Sequence, residues 1–318
     1  MKKALLILII LTAIVRINAQ EAVKDTSWKK GGFISVSFNQ ASLTNWAAGG
    51  ENALSGNFVG SFFACYNKGK IAWDNTLDMG YGFIKSGDAS LHKNEDKIEL
   101  NSKYGHEVIR HLYYSAMINF KTQFAPGYNY PNDSTVISHL FAPAYLTLAF
   151  GMDYKPIDQL SFFLSPATGR FVFVLDQKLA DAGQFGVDPA TYSSTGVKLT
   201  DGKTIRFEFG ASVRARFQKD LVKNLNLMST LSLFNNYTDK NVTNRANINV
   251  DWQTMLAIKA GKLLTFSLFT HLLYDHNINI PTYGDVTVVN TVYKNVVVGT
   301  GPKTQFQEIL GIGLSYKL

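Results

Sequence analysis

Apolar and polar residues alternate one by one through most of this chain, most clearly at its C-terminal end. From Leu310 to Leu318 every second residue is Leu, Ile or Tyr, and the residues between them are Gly, Ser or Lys. A period of two puts successive side chains on opposite faces, so this stretch predicts a β-strand with one apolar face and one small or polar face. The closing strand of an outer-membrane barrel has such a pattern, because one of its faces contacts lipid.

A series of earlier segments repeats this alternation. The clearest is 205–217, in which Ile, Phe, Ala and Val alternate with Arg, Glu, Gly and Ser. Segment 160–175 is the least regular, since Pro166 and Gly169 interrupt it and indicate a bulge. We therefore predict an all-β fold, a single antiparallel transmembrane β-barrel of about twelve strands, within a range of about ten to fourteen. The predicted strands are 34–39, 54–66, 71–83, 98–104, 112–124, 140–154, 160–175, 205–217, 225–233, 248–258, 264–274 and 310–318.

The connections between these strands alternate between long and short. Long connections are expected at about 41–53, 85–97, 125–138, 176–204, 238–247 and 275–304, and short ones near 67–70, 109–111, 155–159, 219–224 and 261–262. Short periplasmic turns, longer external loops and an even strand number are typical of outer-membrane barrels. We therefore expect both termini in the periplasm and the long loops at the outer mouth.

A soluble sandwich or lipocalin-like barrel is the alternative fold. The polar phase argues against it, because Gly, Ser, Thr and Asn predominate there, whereas soluble surfaces are richer in Lys and Glu. The aromatic residues also favour lipid, since they fall near the strand ends, where two girdles are expected. Those near short turns are Tyr66, Trp73, Tyr114, Tyr154 and Tyr316, and those near long loops are Tyr81, Phe83, Phe124, Tyr237 and Tyr274.

The N-terminus has the three parts of a secretory signal peptide. Lys2 and Lys3 precede an apolar stretch at 4–15, and Ala19 provides a small residue for cleavage. We predict a signal peptide at 1–19 and one barrel domain at 20–318. Without the signal, 28 basic residues face 24 acidic ones, so the charge gives no argument for nucleic-acid binding. Cys65 is the single cysteine, so no internal disulfide is possible.

Five sequence stretches resemble an uncharacterised family of exported envelope proteins, a domain of unknown function. They are NQASLTNWAAGGENAL at 39–54, WDN at 73–75, KNEDKIELNSKYG at 93–105, FKTQFAPGYNY at 120–130 and FLSPATGRFVFVLDQKLADAGQFGV at 163–187. The resemblance covers most of the mature chain and implies an exported outer-membrane barrel. It implies no activity and assigns no catalytic residue.

Charged residues in the polar phases are candidates to line the lumen. They are Arg206, Glu208, Arg214, Arg216, Lys121 and Asp251. Arg206 and Arg216 lie roughly 34 Å apart along one strand and cannot form one site, whereas Arg214 and Arg216 can. Two interpretations stay open. The lumen is either a water-filled channel that mildly selects anions, or a plugged interior held together by Arg–carboxylate pairs.

The first long loop supplies candidates for the external mouth, namely Asn45, Trp46, Gly49 and Gly50. One hypothesis is that Trp46 packs inside the mouth as a constriction or lid, with the two glycines shaping the turn. The other is that this loop folds over the rim and only steadies it.

No catalytic, cofactor or metal site is predicted. A hydrolase needs Ser, His and an acid within hydrogen-bond reach, and the candidates are Ser138 with His139, and His271 with Asp275 and His276. The pair His271 and His276 and the pair His106 and His111 are each five residues apart, which on a strand puts the two rings on opposite faces.

The function favoured by the sequence is a channel or transporter for small polar or weakly anionic solutes. One alternative is a non-conducting structural or partner-binding barrel, and another is a membrane-embedded lipid hydrolase. The expected partners are outer-membrane lipid and, through the C-terminal strand, the barrel-assembly machinery.

Overall fold

A computed structural model describes residues 27–42, 51–130, 132–261, 264–288 and 291–317. Twelve antiparallel strands form a closed barrel, in which each strand pairs with its neighbours along the chain and the last pairs with the first. The prediction of a single barrel of about twelve strands is confirmed. Its strands are β1 (Trp28–Ala41), β2 (Ala53–Lys68), β3 (Ile71–Ser86), β4 (His92–Ile109), β5 (Leu112–Thr122), β8 (Ala144–Ile157), β9 (Leu160–Phe173), β12 (Ile205–Val222), β13 (Leu225–Asn236), β14 (Ile248–Ala260), β15 (Leu264–Tyr274) and β18 (Gln305–Lys317).

The long loops carry small elements of their own. Loop 123–143 contains the hairpin of β6 (Gly127–Tyr128) and β7 (Val136–Ser138). Loop 174–204 contains the helix α1 (Gln177–Asp181), a 3₁₀ turn (Gln184–Gly186) and the hairpin of β10 (Thr191–Tyr192) and β11 (Lys198–Thr200). A further 3₁₀ turn (Val242–Ala246) precedes β14, and β16 (Asn279–Val288) with β17 (Thr291–Pro302) forms a separate hairpin between β15 and β18. In the described part of the chain, no helix has the length and apolar composition that a membrane crossing requires.

Several strands extend beyond their predicted ends, among them β1, β12, β13 and β18, and the starts of two other strands, β4 and β8, also differ from the prediction. β4 begins at His92, so the long loop expected at 85–97 is only 87–91. The charged run that suggested a loop is the inner face of the strand, where Glu95 and Lys97 line a lumen cavity. β8 begins at Ala144 rather than at 140, because His139 and Ala142 exchange two backbone hydrogen bonds in a tight turn.

The short connections at the opposite end of the barrel are tight turns. Residues 69–70, 110–111, 158–159 and 223–224 each join two strands directly. Gly69 has a φ of 59°, a conformation that the two-residue hairpin requires and that glycine adopts without steric cost. We call this end of the barrel the turn end and the other the loop end.

The apolar phase of the barrel strands faces outward. Phe150, Leu310 and Leu314 each expose more than 60% of their surface. At the turn end Trp28 stacks obliquely on Tyr66, with ring centroids 5.2 Å apart, and also contacts Trp73. The continuation of this girdle around the barrel is Tyr104, Tyr114 and Tyr154.

A second aromatic girdle lies at the loop end and includes Phe38, Tyr81, Phe209 and Tyr237. Trp73 and Phe83 mark the two girdles on β3, roughly 26 Å apart along the barrel axis for tilted strands. That height matches the apolar band that a barrel presents to lipid.

One carboxylate, Glu308, interrupts the outer face between Phe306 and Leu310. The side chain of Tyr316 lies outside the described residues.

Candidate functional site

The polar phase faces the lumen, where charged side chains form three layers of contacts. Alternation along each strand puts every second side chain inside, so charges from several strands converge. We describe a central layer first, followed by one at the loop end and one at the turn end.

The central layer joins opposite walls of the barrel. Lys121 Nζ on β5 lies 3.3 Å from Asp251 Oδ2 on β14. Lys97 Nζ on β4 donates to Gln253 Oε1 on β14 at 2.7 Å, and Arg214 Nη1 on β12 donates to Asn101 on β4 at 2.8 Å. In the strand order, β4 and β14 are diametrically opposite.

A barrel of circular cross-section would be too wide for these side chains to bond directly across the lumen. Twelve tilted strands closed into a circle would be roughly 24 Å across between backbones. A Lys and an Asp side chain joined by a hydrogen bond span about half of that distance. The walls carrying Lys121 and Asp251 therefore approach one another, and side chains cross the lumen at mid-height.

The loop-end layer is centred on Arg170 of β9. Its Nε donates to Glu208 of β12, and its Nη2 donates to Asp275 Oδ2, just beyond β15, at 3.0 Å. The guanidinium also lies over the Phe234 ring, 4.8 Å from its centroid. Arg206 Nη1 lies 3.0 Å from Glu208 Oε1. Glu208 is 2% exposed, so two guanidinium groups compensate one buried carboxylate.

The turn-end layer contains two lysines and two aspartates. Lys103 Nζ lies 2.6 Å from Asp153 Oδ2 and 2.7 Å from the Ser161 hydroxyl oxygen. Lys155 Nζ lies 2.7 Å from Asp74 Oδ2 and 3.8 Å from Asp153. These bonds connect β3 and β4 with β8 and β9 across the interior.

A cavity of about 370 Å³ lies in the lumen, and its two sides differ in chemistry. On one side are charged groups of both signs on β3, β4, β5 and β12, and β14 adds the carboxylate of Asp251. On the other side, six consecutive barrel strands contribute apolar side chains, which are Val59, Phe33, Ile309, Phe269, Met255 and Met228. This size is within the range of small-molecule sites.

The six predicted lumen residues are divided between these regions. Lys121, Asp251 and Arg214 lie in the central layer, and Arg206 and Glu208 lie in the loop-end layer. Arg216 lines the cavity, and its Nη2 contacts Gln218 Oε1 at 3.1 Å and Met228 Sδ at 3.6 Å. Among the described residues, no carboxylate lies within 4 Å of Arg216. Asn45, Trp46, Gly49 and Gly50 lie outside the described residues, as does the predicted signal peptide.

Sequence reasoning missed Arg170, Asp275 and Lys97 as lumen residues. Arg170 follows a bulge where β9 shifts register between Ser165 and Thr168 against β8 and β12, so simple alternation misplaces it. Lys97 lay in a stretch predicted to be a loop. Asp275 was considered only as part of a hydrolase triad.

The residues proposed for hydrolysis are not brought together. Ser138 Oγ lies 3.4 Å from Gln123, and His139 contacts Asp176 and the Leu140 carbonyl oxygen. His271 Nε2 lies 3.0 Å from Asp251, whereas Asp275 pairs with Arg170. Within the described ranges, no group of three or more His, Cys, Asp or Glu side chains could hold a metal ion.

A folded cap covers part of the loop end. Leu179 and Ala180 of α1 pack with Val187 against Ala142, Val172 and Val174 in a buried apolar cluster. Asp176 begins the helix, and its carboxylate accepts the Leu179 backbone N–H at 3.0 Å. This bond, with a further one to His139, lowers the pKa of Asp176 below its ordinary value.

Residues 38–128 match the sequence model of a family described as Protein of unknown function (DUF3078). The predicted resemblance to an uncharacterised family is confirmed over this range. The range contains three of the five resembling stretches completely and most of a fourth, the one at 120–130. No curated protein is significantly similar in sequence.

Two solved outer-membrane structures are similar to this chain at low identity. The COG4313 outer membrane channel from Pseudomonas putida F1 is 13% identical with a TM-score of 0.38, covering 94% of this chain and 100% of that one. The translocator domain of the autotransporter NalP from Neisseria meningitidis is 8% identical with a TM-score of 0.36, covering 96% of this chain and 92% of that one.

Proposed function

We propose that this protein is an outer-membrane transport barrel whose lumen is closed at mid-height in its resting state. The observation that carries the proposal is the set of direct bonds between opposite walls, above all Lys97 to Gln253 and Lys121 to Asp251. The exposed apolar band and its two girdles support a location in the membrane. Solutes pass only when the cross-barrel bonds rearrange, so the barrel is a selective transporter rather than a diffusion pore.

Conductance in planar bilayers tests this proposal. The wild-type protein is expected to be closed for most of the recording at low voltage. A triple variant, Lys97→Ala with Lys121→Ala and Asp251→Ala, removes the bonds from Lys97 to Gln253 and from Lys121 to Asp251 and is expected to conduct steadily. The matched control is Lys198→Ala with Asp181→Ala, which removes an ion pair of the 174–204 loop and leaves the lumen unchanged. A steadily conducting wild-type protein contradicts the proposal.

A non-conducting, partner-binding barrel is the second candidate. It is supported by the cap at the loop end and by the exposed apolar side chains of Val296, Val297 and Val298 on the β16–β17 hairpin. If the wild type and the triple variant both fail to conduct, this function is favoured. Deletion of 279–302 should then abolish binding of a surface partner without affecting barrel assembly.

A further inference from the structure

The closing seam of the barrel, between β1 and β18, is paired over only part of its length. Phe33 to Val36 pair with Lys317 to Leu314, whereas β1 and β2 pair continuously from Trp28 to Ala41. Among the described residues, no backbone pairing across the seam is present for 37–41 of β1 or for 305–313 of β18. On its other side, β18 stays paired with β15 up to Gln305.

Two glycines of β18 show where the strands separate. A Cβ at Gly313 would lie 2.6 Å from the Val36 carbonyl oxygen and 3.0 Å from the Ser37 Cβ, so β1 is in contact there. A Cβ at Gly311 would meet only Ser267 Oγ of β15, with no described atom of β1 within 4 Å. The seam therefore opens within two residues and stays open toward the loop end.

The open part of the seam adjoins the apolar side of the lumen cavity. Ile309 belongs to the unpaired stretch of β18 and lines the cavity, and Phe269 is its registered neighbour on β15. Outside, Phe38 and Ile312 flank the seam and are 61% and 51% exposed. Apolar side chains thus lie on both the membrane side and the lumen side of the open seam.

Two arginines of β12 line the same cavity, among charged groups of both signs. Arg214 and Arg216 both line it, and the nearest carboxylate to Arg214, that of Glu99, is 4.0 Å away. Arg216 has no carboxylate within 4 Å among the described residues and bonds only to the neutral Gln218 and Met228. A guanidinium group without a carboxylate partner can bind an anion through two parallel hydrogen bonds.

We propose that the lumen cavity binds a single-chain anionic amphiphile, which exchanges with the membrane through the open part of the β1–β18 seam. The head group, a carboxylate or phosphate, lies against Arg216 and Arg214. The alkyl chain lies along Met228, Met255, Phe269 and Ile309 and reaches the seam. This inference rests on the proposed membrane location but not on the conductance of the barrel.

Binding is measured with the full-length protein in a non-ionic detergent, using a pyrene-labelled C16 fatty acid and the corresponding alcohol. The wild type should bind the acid saturably and at least tenfold more tightly than the alcohol. Arg216→Gln should abolish that preference, Arg216→Lys should restore part of it, and the loop control Arg245→Gln should keep it. Equal affinity of the wild type for acid and alcohol overturns the anionic head-group site. A lysophosphatidic acid competitor distinguishes the head groups, since displacement shows that the site also accepts a phosphate and its failure restricts the site to a carboxylate.

The route is tested by closing the seam in a Cys65→Ser background. Asn39 and Gly311 would be partners if the β1–β18 register continued, so Asn39→Cys with Gly311→Cys places two thiols across the opening. The control, Asn39→Cys with Ser55→Cys, links β1 to β2, where the strands already pair. If the direct disulfide does not form, a short bis-maleimide bridges the same pair.

Closing the seam should slow exchange of the bound acid with liposomes at least tenfold, and reduction of the disulfide should restore it. The control pair should not change exchange. Unchanged exchange in a fully cross-linked seam variant overturns the lateral route. A wild type that conducts steadily but keeps its Arg216-dependent preference contradicts only the closed lumen, so the two proposals fail separately.

Discussion

Lys121 of β5 and Asp251 of β14 have four strands between them on the shorter way around the barrel, yet their side chains are bonded across the lumen. Asp251 also contacts His271 at 3.0 Å, and Lys121 lines the same cavity as Glu99 and Asn119, which are hydrogen-bonded to each other. Such a contact fixes the separation of two walls that share no backbone hydrogen bond. The central layer therefore links the two walls structurally, in addition to the closure proposed for it.

A double-mutant cycle at this pair measures that role. Asp251→Leu removes the carboxylate bonded to Lys121, so we expect the free energy of unfolding to fall by about 1–3 kcal/mol. Lys121→Met with Asp251→Leu leaves no unpaired charge and should cost less than the sum of the single changes. Urea unfolding of the barrel in liposomes provides the free energies. Strict additivity would show that the two groups do not interact.

Arg170 is expected to be the most sensitive charged residue in the barrel. Arg170→Met leaves the carboxylates of Glu208 and Asp275 without their main partner, so we expect a loss of about 3–5 kcal/mol. Arg170→Lys keeps a charge but not the two-pronged geometry and should lose less. Thermal unfolding, monitored by circular dichroism, ranks the stabilities of the wild type and the two variants. The control is Arg245→Gln in an exposed loop, and equal effects at 170 and 245 would contradict this role.

The sequence was sufficient to predict the barrel because strand alternation is a local property of each segment. It also put Arg214, Lys121 and Asp251 on the inner face. It could not predict which inner residues meet, because Lys97 and Gln253 are brought together by the stagger and closure of the whole sheet. The pattern indicated a bulge at Pro166 and Gly169, but not the register shift that puts Arg170 in the lumen. The packing of Leu179 in the short α1 helix depends on tertiary contacts and was not visible in the pattern.

Arginine substitutions at two exposed leucines test whether lipid or water surrounds the barrel. Leu164 on the outer face of β9 is 55% exposed, and Leu199 in the β10–β11 hairpin is 64% exposed. Leu164→Arg should reduce the folding free energy by about 2–4 kcal/mol, because a cation on the lipid face is costly. Leu199→Arg should change it by less than about 0.5 kcal/mol, as expected at a water-exposed site. The heat-dependent shift in gel mobility measures how much of each variant folds into liposomes. Equal tolerance would indicate that water surrounds the barrel.

The cap at the loop end should lose stability in acid through Asp176. Its carboxylate accepts the Leu179 N–H and contacts His139, which lowers its pKa in the folded state. A carboxyl group with a depressed folded-state pKa stabilises the cap above its unfolded pKa of about 4. That contribution is lost as the pH falls through the folded-state value.

Hydrogen exchange of the amides at 177–187, corrected for the intrinsic rate, should therefore show less protection at pH 3 than at pH 6. Asp176→Asn keeps an oxygen for the Leu179 N–H but cannot titrate, so its protection should depend less on pH in this window. Asp176→Ala should lose about 1 kcal/mol of local stability relative to the wild type at pH 6, and this difference should shrink at pH 3. Asp181, whose pKa is lowered to about 2 by hydrogen bonds led by that from Lys198, titrates below this window. If the wild type and Asp176→Asn have the same pH dependence, Asp176 does not control the cap.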